Sequence, residues 1–184
     1  KAAFNSAFKG SEAKAAWAEL DDDPVIYGFA QQALYADLLV LGQHDPNDPL
    51  AQELPSDFVQ SVLIDSGRPA LVVPYAGDIA TVGRKVLIAW KASRESARAV
   101  SAALPLLQRA EQVHVVSWPE DEPAAVRGKT LNLQRFLQLH GVESTLHQPG
   151  QPPREVGELL LSQAADLDAD LMVMGCYGHS RLRQ

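Results

Sequence analysis

Short apolar runs rich in Val, Ile and Leu alternate along this chain with longer segments whose apolar residues recur every three or four positions. That is the pattern of strands alternating with helices. Val86-Leu87-Ile88-Ala89-Trp90 is an unbroken apolar run, as expected of a central parallel strand covered on both faces. Ser93 then stands where an N-cap belongs, and Ala97, Val100, Leu104 and Leu107 predict an amphipathic helix. The run 113–118 predicts the next strand. Residues 126–139, carrying Leu133, Phe136, Leu137 and Leu139 and stopping before Gly141, predict the next helix. A strand over 142–146, a helix over 154–165 and a strand over 171–174 follow, so from Lys85 onward the predicted order is βαβαβαβ.

The segment 36–42, Ala-Asp-Leu-Leu-Val-Leu-Gly, repeats at 169–175 as Ala-Asp-Leu-Met-Val-Met-Gly. A predicted helix precedes each copy, over 24–35 and 153–165, and two related modules are the simplest explanation. The first copy continues through a polar, Pro-rich loop to a helix over 54–66 and a last strand over 70–74. The predicted organisation is thus a first module over 1–76, a linker over 77–84 and a second module over 85–184. The fold class expected is α/β, with Rossmann-like doubly wound parallel sheets in two tandem modules. Both modules read as incomplete: the first opens with a helix over 1–14 and a strand over 15–20, and the second ends where a helix and strand like those of 55–74 should follow.

Composition narrows the functional classes. A net charge of −7 without a basic patch argues against nucleic acid and anionic lipid as partners. No apolar stretch approaches the roughly 18 residues of a membrane span, and the first residues lack the features of a signal peptide, so a cytoplasmic location is expected. The single cysteine, Cys176, offers no internal disulfide and reads as an inert small side chain. No metal site is assigned, since Asp21-Asp22-Asp23 before Pro24 reads as a solvated helix entry. No catalytic residue is assigned either: there is no Ser-His-Asp order, paired-carboxylate pattern or Walker lysine motif.

Ala-Asp-Leu-Met-Val-Met-Gly-Cys-Tyr-Gly-His-Ser at 169–180, with support from residues 85–93, resembles the signature of the universal stress protein family. In that family a strand ends in Gly-x-x-Gly, followed after about nine residues by Gly and Ser or Thr, and the loop wraps ATP phosphates. Gly175 and Gly178 match the first half, and the second half would lie beyond Gln184. Glycines suit such a loop because phosphate oxygens must approach backbone N–H groups that a Cβ would obstruct. The alternative is that both glycines merely permit a tight strand-to-helix turn.

Ligands of such sheets bind beyond the carboxyl ends of the strands. This makes Ala89, Trp90, Lys91, Met174, Gly175, Gly178, His179 and Ser180 the candidate binding residues, with Ser117 and Trp118 nearby. Nucleotide-binding members of the family place Asp where this chain has Lys91. In the first copy no second glycine follows Gly42 at the required place, so its phosphate loop reads as degenerate. The resemblance therefore implies a stress-response protein that binds ATP, with magnesium, through its second module. Any ATP hydrolysis would be slow. The alternative reading is a tandem scaffold that binds no nucleotide, or a binder of small apolar ligands. The two modules would mimic within one chain the dimer of single-domain relatives, and a homodimer is a further assembly the resemblance allows.

Overall fold

The computed structural model describes residues 2–9, 12–20, 24–49, 51–77, 79–118, 131–150 and 156–176. The chain divides into two compact units, residues 1–75 and 76–184.

In the first unit, helix α1 (Ala2–Ala7) is followed by α2 (Val25–Ala33), strand β1 (Leu39–Gly42), a 3-10 turn (Ala51–Glu53), helix α3 (Phe58–Ser66) and strand β2 (Ala70–Val73). β1 and β2 pair in parallel, with Leu39 opposite Ala70 and Gly42 opposite Val73. Ala33, Leu39, Leu41 and Val62 form a small core, with Phe29 and Phe58 packed edge to face at 5.3 Å. Period-2 alternation sends Leu39 and Leu41 into that core, and Val40 on the other face is 65% exposed.

Three expectations are corrected here. α1 ends at Ala7 rather than near residue 14, ahead of Gly10, which carries a high helix cost. Residues 15–20 are irregular and mostly exposed instead of forming a strand: they contain no β-branched residue, and Trp17 packs on Phe4 at 5.4 Å. α3 starts at Phe58 and not at residue 54, because Pro55 cannot donate in a helix interior and its carbonyl instead accepts from Phe58 N.

The second unit runs β3 (Lys85–Ala89), α4 (Arg94–Leu107), β4 (Gln112–Val116), α5 (Leu133–Leu139), β5 (Thr145–His147), α6 (Val156–Asp166), β6 (Leu171–Met174). This is the predicted βαβαβαβ order. The four strands are all parallel, in the order β5-β4-β3-β6. Side chains alternate between two cores. Val86, Ile88, Val113, Val115 and Val173 pack with Val100 and Leu107 of α4 and Leu133 and Leu137 of α5. Leu87 and Val116 pack on the other face with Leu160 of α6. Helices thus cover both faces of a parallel sheet, the Rossmann-like arrangement.

Boundaries moved where local bonds intervened. α5 starts at Leu133, not at residue 126, because the Asn132 side chain accepts from Arg135 N at 2.8 Å and caps the helix there; residues 119–130 lie outside the described residues. β5 starts at Thr145, not at residue 142. Val142 is used by the end of α5, where Gly141 takes φ +74°, Gly141 N bonds Gln138 O and Val142 N bonds Leu137 O. This is a Schellman ending, and it buries Val142 as a plug rather than a strand residue.

Candidate functional site

The strand order itself locates a crevice. From β3 the chain winds outward through β4 and β5, then returns to lay β6 on the opposite side of β3. The strand order therefore reverses between β3 and β6, and in doubly wound sheets ligands bind beyond the carboxyl ends of the strands at such a point. Ala89 and Met174, the last residues of β3 and β6, face each other in register there. Ala89 is half-buried, and Met174 is 52% exposed.

Beyond β3, Trp90 N donates to Val116 O at 2.8 Å, extending the ladder, while the indole packs half-buried on the α4/α5 core. Lys91 is exposed. Ser93 caps α4 as predicted: its Oγ accepts from Ser96 N at 3.2 Å, and Glu95 adds an acidic group in the first turn, where the helix dipole favours it.

Gly175 lies directly against this cap. A Cβ on Gly175 would come 2.5 Å from Ser96 N, 2.8 Å from the Glu95 carbonyl carbon and 2.8 Å from Ser96 Oγ. Its lack of a side chain is therefore required by the packing of the loop after β6 on the first turn of α4. Sequence reasoning pointed to the glycine but not to Glu95 and Ser96, because that partner is set by the order of the strands. Cys176, next to it, is exposed. Gly178, His179 and Ser180 lie outside the described residues.

Two polar groups at the end of β4 have no hydrogen-bond partner among the described residues: Ser117 Oγ and Trp118 Nε1. Both residues are more than nine-tenths buried. Burial of such a group without a partner costs about 1–3 kcal/mol. Beside Trp90 a cleft of 230 Å³ runs between α4 and α5, lined by Ala97, Val100, Ser101, Leu133 and Phe136. It is apolar apart from Ser101 and Asn132.

No protein-family model matches the chain, and no curated protein matches it. Among the described residues there is no group of three His, Cys, Asp or Glu side chains able to hold a metal, and no helix long and apolar enough to cross a membrane.

The repeated Ala-Asp pair has a separate role in the second unit. Asp170 sits at the amino end of β6, away from the crevice. Its carboxylate accepts from Thr81 Oγ1 at 2.6 Å and from the backbone N–H groups of Gly83, Arg84 and Lys85 at 3.0–3.1 Å. Burial works to raise its pKa. The bonds from Thr81 and from the Arg84, Lys85 and Gly83 amides outweigh that and hold it below the ordinary carboxylate value. Residues 81–85, predicted in part as linker, are pinned by this one side chain.

Proposed function

We propose that this protein is a binding protein of the universal stress type whose second unit holds a nucleotide, with ATP and its magnesium as the favoured ligand. The phosphates would sit at the β3/β6 crevice. The observation that carries this reading is the topology: the strand-order reversal coincides with the N-terminal turn of α4, and the glycine-bearing loop after β6 is pressed onto that turn. The helix end contributes positive potential, and the Ser117 hydroxyl and Trp118 indole N–H, which have no partner among the described residues, are donors at the same end of the sheet. The role is binding and signalling through partner affinity, with hydrolysis at most slow. Two homologous modules forming a pseudo-dimer, a cytoplasmic location and a homodimer belong to the same proposal.

A second reading rests on a different observation. The cleft between α4 and α5 is apolar and suits a small apolar ligand, and Lys91 stands where nucleotide-binding members of the family this chain resembles carry Asp, which weighs against adenosine recognition. Calorimetric titration with ATP and magnesium separates the two. Under the nucleotide reading Gly178→Val abolishes binding, and Ala97→Phe, which fills the cleft from its exposed wall, leaves it intact. No heat from the unaltered protein, together with an apolar fluorophore that binds it and is excluded by Ala97→Phe, transfers the function to the cleft.

A further inference from the structure

Outside the crevice, the α6 face of the sheet carries two histidines on adjacent parallel strands. His114 is the central residue of β4 and His147 the last of β5. In register His114 lies opposite Thr145 and His147 opposite Val116, so the two rings are diagonal neighbours on the same face. His114 Nδ1 is 3.1 Å from His147 Nε2, with ring centroids 5.2 Å apart and planes tilted by 48°. Two imidazole nitrogens bound to one cation at about 2.0–2.1 Å stand about 3.1 Å apart when the angle at the metal is about 100°, between a square and a tetrahedral corner.

We propose that His114 and His147 form a two-imidazole site for a divalent first-row transition cation such as zinc or nickel, with water completing its shell. The surroundings suit that role. Gln112 Oε1 lies 3.4 Å from His114 Nε2, on the far side of the ring, where an acceptor favours the tautomer that leaves the Nδ1 lone pair directed toward His147. The nearest cationic side chain, Lys85, pairs with Asp168, 3.3 Å away. Both residues are only half-buried, and His147 lies on β5, which has no outer neighbour among the described residues, so a hydrated ion can reach the pair from that edge. Without the cation, and with its own proton on Nε2, His114 accepts the Nε2–H of His147 at Nδ1. On binding, His147 gives up that Nε2 proton to solvent and takes one at Nδ1, with no net change in protons: His114 binds through Nδ1 and keeps its proton on Nε2, and His147 binds through Nε2 with its proton on Nδ1.

The test is titration of the full chain with zinc chloride in chelator-free, phosphate-free buffer, read by calorimetry and by long-range proton–nitrogen NMR of the histidine rings. One cation per chain is expected, with affinity weakened at least about tenfold in His114→Gln and in His147→Gln alike and unchanged in His140→Ala. In the unaltered protein the shifted nitrogens should be Nδ1 of His114 and Nε2 of His147, a readout that needs no variant to fold. The proposal is overturned by no binding up to about 1 mM zinc. It is also overturned by unchanged affinity in both glutamine variants, or by nitrogen shifts confined to other histidines.

Discussion

Asp170 carries more of the second unit's architecture than its place at a strand entrance suggests. Four donors converge on one carboxylate, and three of them are backbone amides at and just before the start of β3. An Asn in its place keeps the shape but loses the charge and one acceptor, so Asp170→Asn should cost about 1–3 kcal/mol at pH 7 by chemical denaturation. The folded pKa lies below the unfolded one, near 3.9. The carboxylate's contribution is therefore complete above about pH 4 and is lost as pH falls through the folded value. The gap between the two proteins should narrow on acidification; a gap that stays constant from about pH 7 to pH 3 would rule this out. The sequence displayed the Ala-Asp pair twice but gave no reason for it. For the second copy the reason lies in donors more than eighty residues away in the chain, a distance no local pattern spans.

At the scale of single elements, legibility followed the range of the forces involved. The Ser93 cap was readable because its acceptor and donor are three residues apart, and Ser93→Ala should lower stability by about 1 kcal/mol in a thermal or urea melt. An unchanged melt would mean that the cap is redundant with the packing of Gly175 on the same turn. α4 also runs through Pro105 to Leu107, as its apolar spacing predicts. The buried Leu107 outweighs the missing N–H near the helix end. The errors arose where two local preferences competed. Val142 has strand propensity, yet the Schellman ending of α5 claims its N–H, and Asn132 draws the start of that helix seven residues later than its apolar pattern implies. His114 belongs to a predicted strand and His147 lies one residue beyond the end of another, 142–146, but no spacing in the sequence announces that β5 lies beside β4 with those rings diagonal to each other.

Across the whole second unit, stability rests on a sheet buried from both sides. Leu87 is wholly inaccessible at its centre, on the face covered by α6. Leu87→Ala should cost about 2–5 kcal/mol in denaturant unfolding, and a cost below about 1 kcal/mol would mean that α6 is only loosely applied to the sheet. The order of strands and helices in this unit, its parallel sheet and the cap of α4 were all determined by the sequence alone, because each follows from the period of apolar residues or from bonds a few residues long. Which strand lies beside which was decided only by the tertiary structure, and with it the crevice between β3 and β6, the glycine against Ser96, the carboxylate under β3 and the paired imidazoles. Those contacts join residues remote in the chain, and they depend on which strands the folded sheet places side by side.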